Sequence, residues 1–414
     1  MKENDNIKNY YDKAVGIEDE QNDDTDSYIE PFDPEKISIE TKKVSMDTCL
    51  RRLQQGTLVL NPDFQRNEVW TIDKKSQLIE SLMLNIPIPM FYVSSDSKGN
   101  YTVVDGLQRL STIRDFVLGK DFLQEKDKQK KEYLKGRGFR LKHLEFWRQY
   151  EGLQFVELPE HLSNRILETE FTFTIINPST PEEVKRNIFK RINTGGLPLS
   201  PQEIRNALYG GRSTILLNKL SKKKEFLEAT GHSINSLRME DKEVILRFLA
   251  FTIRDYSNYR RSQNVDDYLA DTMIIINCGG NLTERQLEKL AKKTGTGETG
   301  IQHFTVEELI DRFVLAMTRS HRLFGKHTFR KSHGQNRRSP INKSLFETWG
   351  VLLSKLPQST FERLCINKSK MMPEYIDLLE SKDFQTAISR NSMTHQSVHY
   401  RFDKIKQLID KYSK

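Results

Sequence analysis

The stretch VVDGLQRLSTI, residues 103 to 113, runs two β-branched residues into Asp-Gly and then into a helical pattern. A strand that turns through Asp105-Gly106 into a helix leaves the first backbone N–H groups of that helix without partners, and glycine lets a ligand approach them closely. The chemistry on offer is anion binding. Arg109 lies in the first turn, where its guanidinium could grip phosphate oxygens in a fork. Gln108 could orient a water or a nucleotide edge, and Asp105 could hold a magnesium ion. A plainer reading has Asp105 capping the helix while Gln108 and Arg109 make ordinary surface hydrogen bonds. The pattern alone is compatible with both.

Other polar groups raise the same choice. In FQR, residues 64 to 66, Arg66 is either a second phosphate ligand or the partner of an acid such as Glu68 or Glu80. RINTGG, residues 191 to 196, sets Arg191, Asn193 and Thr194 beside two glycines, which makes a polar cradle or merely a helix C-cap. The most basic stretch, FGKHTFRKSHGQNRRSPINK (324 to 343), interleaves Lys326, Arg330, Lys331, Arg337, Arg338 and Lys343 with Phe324 and Phe329. It could follow a nucleic-acid backbone, with aromatic faces to stack on bases, or it could be a solvated loop. His395 and His399 sit four apart and could share a metal on one helix face, but no third ligand lies nearby and two surface histidines would look the same.

The elements that must position these groups are legible. TLVL (57 to 60) predicts a short strand, and Thr71 can cap a helix reaching about Asn85, ended by IPIP because proline cannot continue it. MFYVSS and YTVV flank the turn DSKGN and should pair as a hairpin, with a helix from Leu107 to about Leu118 directly after it. EFTFTII (170 to 176) alternates as a half-buried strand does. TPEE (180 to 183) and SPQE (200 to 203) each place a hydroxyl at a cap, proline at the first helical position and glutamate at the third. From 212 onward the patterns are almost wholly helical. We therefore expect an α+β domain over 37–211, ending near Gly210-Gly211, and a mostly α-helical domain over 212–414.

Charge is uneven. Residues 1 to 30 hold ten acids against three lysines, a net −7, so the remaining 384 residues carry +15. A basic body behind an acidic leader suits a polyanionic partner, although a solubilising surface would look alike. Residues 1–36, which lack apolar periodicity up to about Tyr28, are read as a flexible leader that could shield the body. No apolar run approaches the ~20 residues of a membrane helix, and no secretory signal opens the chain. Three widely spaced cysteines offer neither a disulfide framework nor a CxxC site. We expect no membrane association and a cytoplasmic location.

Taken together, PDFQRNEVW, LIESLMLNIPIPMFYV, VVDGLQRLSTI and FKRINTGGLPLSPQEIRNALY, in this order, closely resemble the amino-terminal domain of the GmrSD-type restriction family. The likeness covers about 50 to 211 and continues more weakly through KEVILRFLAF and FGKHTFR…INKSLFETWG, as in stand-alone members. It implies a fold like that of ParB and sulfiredoxin, a nucleotide site built around a DGQQR motif, and a role in defence against foreign DNA. Carried over by position, Asp105, Gly106, Gln108 and Arg109 would form the core of the site, with Gln65, Arg66, Arg191 and Asn193 as neighbours. Here the motif reads DGLQR, with Leu107 where the family has its first glutamine. Many relatives carry a His-Asn-His nuclease in the carboxyl-terminal half, and no such motif is found after 211.

The expected function is therefore a component of a prokaryotic defence system that binds, and could hydrolyse, a nucleoside triphosphate with Mg2+ at Asp105, Gln108 and Arg109. Its partners would be double-stranded DNA, through Arg330, Lys331, Arg337 and Arg338, and a separate nuclease subunit or a second copy of the chain. Two alternatives stand beside it: a non-enzymatic DNA-binding or sensor module, and a metal-dependent nickase.

Overall fold

The structure is a computed structural model that describes residues 16–18, 37–60 and 70–414, apart from 120, 123–124, 193–199, 237, 262–263, 295–298 and 335–336. It divides into two compact units, Glu30–Leu199 with Asn206–Leu208, and Met1–Ile29 with Ser200–Arg205 and Tyr209–Lys414.

The first unit is α+β, as expected. Its strands are β1 (Ile39–Ser45), β2 (Leu58–Val59), β3 (Phe91–Ser95), β4 (Tyr101–Asp105) and β5 (Glu170–Ile176), and they form one sheet in the order β1-β5-β3-β4-β2. The hairpin β3-β4 is antiparallel, whereas β3 runs parallel to β5 and β2 parallel to β4. The hairpin turn closes on the Asp96 carboxylate, which accepts from the backbone N–H groups of Lys98 at 2.8 Å and Asn100 at 2.9 Å. Strand β5 buries Phe171, Phe173 and Ile175 and leaves Thr172 and Thr174 half-buried, as its alternation predicts.

One strand was not legible. β1 pairs antiparallel with β5 along its whole length, from Ile39 opposite Ile176 to Ser45 opposite Glu170. Its sequence IETKKVS carries too little apolar alternation to announce it, because the strand lies at a sheet edge and stays largely exposed. The hydroxyl of Thr180 binds both backbone groups of Ser38, accepting from its N–H at 3.1 Å and donating to its carbonyl at 3.0 Å. That contact pins the start of β1 to the chain just beyond β5.

The helices of this unit are α1 (Met46–Gln54), α2 (Ile72–Met83), α3 (Leu107–Val117), α4 (Lys128–Leu134), α5 (Glu160–Glu168) and α6 (Glu182–Ile192). Helix α2 starts at the predicted cap, with Thr71 Oγ1 accepting from Lys74 N–H at 3.4 Å. It packs against α3 and α5, burying Ile79, Leu82, Leu110, Ile113, Leu162 and Ile166 in one core with the sheet. Glu80 of α2 is 3% exposed, and its carboxylate accepts three backbone N–H groups, from Glu145, Phe146 and Trp147, at 2.8–2.9 Å. A buried charge is tolerated there because donors replace its water.

Helix α7 (Pro201–Leu208) opens on the expected capping box: Glu203 N–H donates to Ser200 Oγ at 3.2 Å, and Ser200 N–H to Glu203 Oε2 at 2.6 Å. In the second unit follow α8 (Arg212–Leu220), α9 (Lys224–Thr230), α10 (Glu240–Ile253), α11 (Val265–Asn277), α12 (Glu284–Thr294), α13 (Val306–Phe324), α14 (Lys343–Lys355), α15 (Gln358–Ile366), α16 (Lys368–Glu380), α17 (Lys382–Ser389) and α18 (His395–Tyr412). Three of them meet at one carboxylate. Glu347 of α14, fully buried, accepts from Arg247 Nε of α10 at 2.7 Å and from Arg401 of α18. Arg401 also donates to Thr348 Oγ1 at 3.2 Å and to the carbonyl of Ser392.

This unit also takes in part of the acidic leader. Ile17 forms a parallel bridge with Ile341, Glu18 N–H donates to the Ile341 carbonyl at 2.8 Å, and the Glu18 carboxylate receives Lys331 and, at 3.2 Å, Asn342 Nδ2. Among the described residues no helix is long and apolar enough to cross a membrane.

Removing one partner of a buried ion pair leaves the other charge unpaired, at a cost of ~3–5 kcal/mol. Glu347→Ala leaves two buried guanidinium groups without their shared acceptor. It should lower the stability of the helical unit by about that amount, read from that unit's own transition in denaturant melts of the full chain. A transition unchanged within ~0.5 kcal/mol would show that the triad does not hold these helices together.

Candidate functional site

The turn at Asp105-Gly106 is built as the sequence suggested. β4 ends on Asp105, and Gly106 takes a left-handed conformation (φ 92°, ψ 10°) as the N-cap of α3, with no side chain capping the helix. A left-handed residue favours glycine, and here space demands it as well. A Cβ on Gly106 would lie 2.6 Å from Phe91 Cε1 and closer still to Cδ1. Phe91 itself is fully buried, with ring centroids 5.3 Å from both Phe171, edge-on, and Phe173, stacked.

Arg109 lies over this platform, its guanidinium carbon 4.7 Å from the centre of the Phe91 ring. It donates through Nη2 to Asp105 Oδ2 at 2.9 Å and to the Met90 carbonyl at 3.2 Å, and through Nη1 to the Pro89 carbonyl. Burial pulls the Arg109 pKa below its ordinary value, against the opposing pull of Asp105. The guanidinium nonetheless stays charged at any physiological pH. Asp105 thus does not cap the helix. Its carboxylate reaches forward to Arg109, and its side chain remains 36% exposed. Gln108 is half-buried in the first turn of α3.

The helix is held from behind. At its far end Asp115, 3% exposed, accepts from Arg114 Nε at 2.9 Å and lies 3.7 Å from Lys75 Nζ of α2. Phe116 packs against Phe139 and Phe155. The amino-terminal turn is therefore the open end of a firmly seated helix.

Of the groups expected at this site, the structure brings together Asp105, Gly106, Gln108 and Arg109. Arg191 lies exposed in the last turn of α6. Gln65, Arg66 and Asn193 lie outside the described residues. The residues that sequence reasoning passed over are Phe91, the platform, and Pro89 and Met90, whose carbonyls take Arg109. Their signal was the run IPIPMF, which delivers β3 at the height of the turn.

Family comparison agrees with the motifs: residues 48–210 match the model of the GmrSD restriction endonuclease, N-terminal domain. The chain carries a GmrSD-type amino-terminal domain. No curated protein and no solved structure matches it. The strand, turn and helix just described fall inside the GmrSD-type domain, whereas α8 to α18 lie beyond the matched residues.

The basic stretch beyond that domain is more inward than its sequence suggested. Arg330 is 2% exposed, and its guanidinium donates to the carbonyls of Ser339 and Thr230 and to Ser233 Oγ, so it is an internal strut. Lys331 is paired with Glu18, Arg337 is exposed and Arg338 half-buried. Phe329 is buried against Phe346, and Phe324 packs on Trp349 and Tyr375. The expectation of aromatic faces open to bases gives way for Phe329, whose ring serves the helical core, while Phe324 stays half-buried. The rings of His395 and His399 lie tilted with centroids 4.2 Å apart, but His399 Nε2 bonds the Tyr259 carbonyl at 3.1 Å, and no group of three metal-ligating side chains occurs among the described residues.

Gly106→Ala must push a methyl into Phe91 and hold alanine at positive φ, a strain of ~1–3 kcal/mol for the backbone alone. It should destabilise the GmrSD-type domain by ~2–4 kcal/mol. Adding Phe91→Leu should recover part of that loss by relieving the clash. Additive losses in the double variant, from denaturant melts, would show that the ring does not set the glycine requirement.

Proposed function

We propose that the chain is a component of a defence system acting on foreign DNA, and that its GmrSD-type domain binds a nucleoside triphosphate at the turn 105–109 and hydrolyses it. The match to a restriction-endonuclease amino-terminal domain supports the first part. The observation that carries the second is the uncapped amino terminus of α3, with Arg109 in its first turn paired to Asp105 at the end of β4. Backbone N–H groups there and the positive end of the helix favour phosphate oxygens.

Asp105 and Arg109 neutralise each other at 2.9 Å. A nucleotide phosphate can take Arg109 Nη2 in place of the carboxylate, while the platform of Phe91 and the Pro89 carbonyl keep the guanidinium aimed. Asp105, released, would be the protein's ligand to a magnesium ion whose shell the phosphates and water complete, as magnesium commonly requires. A bound magnesium ion neutralises charge on the phosphates. Gln108 in the first turn of α3 would orient a water, and the remaining barrier would fall by positioning and charge stabilisation.

A second reading, nucleotide binding without turnover, is favoured by Leu107. It places an apolar side chain in the first turn of α3, where an amide would otherwise help position water. For DNA, the exposed Lys326 and Arg337 and the half-buried Arg338 of the basic stretch would contact phosphates without reading sequence.

Phosphate release from the four ribonucleoside triphosphates with magnesium, with and without duplex DNA, tests the site. Turnover should fall at least about a hundredfold in Arg109→Ala with the fold retained by circular dichroism. Binding that persists without turnover would support the second reading, and wild-type binding in the variant would remove the site altogether. Nicking of supercoiled plasmid abolished by Asp105→Ala would instead assign nuclease chemistry to the same turn.

Replacing Lys326, Arg337 and Arg338 together should weaken DNA binding uniformly across sequences. It should also reduce the slope of log K against log salt by up to ~3. An unchanged slope, measured by fluorescence anisotropy, would place the DNA surface elsewhere.

A further inference from the structure

The helical unit contains a cavity of about 330 Å3 between the end of α13, the segment 325–334 and one face of α16. That volume falls within the range of small-molecule sites. It lies outside the residues matched to the GmrSD-type domain and shares none of its side chains.

Its walls have two characters. Phe324, Met372 and Ile376 supply apolar and aromatic surface, and Lys368, Met372, Tyr375 and Ile376 follow the spacing that puts them on one face of α16. The aromatic wall is rigid: Phe324 meets Tyr375 at 5.4 Å and Trp349 at 4.7 Å, and Trp349 meets Tyr375 at 5.2 Å. The polar groups are donors. Trp349 Nε1 donates to Tyr375 Oη at 3.0 Å, so the tyrosine's own proton is left to give. Burial holds that hydroxyl protonated, pushing its pKa well up.

Lys368 stands half-buried at the start of α16, whose amino terminus has no side-chain cap. Nδ1 of His333 is buried with no hydrogen-bond partner. Its neighbour His327 has both ring nitrogens engaged, Nδ1 with Ser332 Oγ at 3.0 Å and Nε2 with the Gly334 carbonyl at 2.6 Å. Burial holds His327 below its ordinary pKa, which fits a neutral ring fixed as part of the frame. Among the described residues that line the cavity, none is acidic.

A half-open hollow with an aromatic wall, one ammonium and a helix amino terminus calls for a particular ligand. It must bring a compact negative group to the Lys368 end and a planar ring to the Phe324 side. We propose that this cavity binds a small aromatic phosphate, of the size of a nucleoside monophosphate, as a second ligand site independent of the turn at 105–109. The phosphate accepts from Lys368 and Tyr375, and the ring lies between Phe324 and Ile376. Phosphate fits better than carboxylate because Lys368, Tyr375 and the helix amino terminus offer several donors, and its oxygens point in more than one direction.

The test is calorimetric titration of the full chain with the four nucleoside 5′-monophosphates, and with adenosine, inorganic phosphate and benzoate as partial probes. At least one monophosphate should bind, with each partial probe weaker by about tenfold or more. Lys368→Ala, a half-exposed position that should leave the melt unchanged, should weaken binding by about tenfold or more. Ile376→Trp, which fills the cavity, should abolish it, and Arg109→Ala should leave it unaltered. If the tryptophan variant fails to fold, Lys368→Glu serves in its place and should abolish binding by charge. Binding lost in Arg109→Ala and kept in Lys368→Ala would assign the monophosphate to the GmrSD-type domain and overturn the proposal. So would benzoate binding more tightly than any monophosphate, or no monophosphate binding up to about 10 mM.

Discussion

The candidate site depends on an absent atom. Because Gly106 has no Cβ, β4 can turn into α3 directly over the ring of Phe91, and that contact fixes the height of the turn above the sheet. The same ring carries Arg109, and the strand that holds it offers the Pro89 and Met90 carbonyls. One aromatic side chain thus sets the spacing between helix terminus, guanidinium and carboxylate. The ring is itself locked by Phe171 and Phe173 of the neighbouring strand, so the polar groups above rest on a close-packed base. Sites built in this way lose little to reorganisation when charge arrives.

In the helical unit arginine plays the opposite part. Arg247, Arg254, Arg330 and Arg401 are each at most 3% exposed, and they serve carbonyls, hydroxyls and one shared carboxylate. A guanidinium suits this work because five donors in a planar fork can satisfy several helix ends at once. The consequence for the chain's charge is direct. Part of the positive excess lies in the interior, and the surface offered to a polyanion is smaller than the formal charge implies.

The sequence disclosed most where local chemistry decides the outcome. The hairpin around DSKGN, the capping box at Ser200 and Glu203, and the alternation of β5 all fold as their residues dictate, as does the turn at Asp105-Gly106. What it hid depends on partners far along the chain. Strand β1 is defined by β5, more than a hundred residues on, and carries little signal of its own. Arg109 reads equally well as a surface residue until Phe91 is placed beneath it. The stretch 324–343 looks like a basic loop with aromatic ornaments, yet Phe329 and Arg330 point inward because α14 and the carbonyls of Thr230 and Ser339 await them. A linear pattern of cations cannot distinguish a strut from a contact surface.

The bridge at Gly16–Glu18 makes the α+β unit, in topological terms, an insertion. The chain contributes an edge to the helical unit, leaves to build a complete separate body, and returns to finish the first one. Glu18 and Asn342 are 324 residues apart. At a synthesis rate of ~5–20 residues per second, this edge would wait on the order of 15 to 60 seconds on the ribosome for its partner to emerge. By the end of that interval the inserted unit already has all its strands. The contacts of Ile17 and Glu18 are therefore among those that can form only after residue 342 has been made.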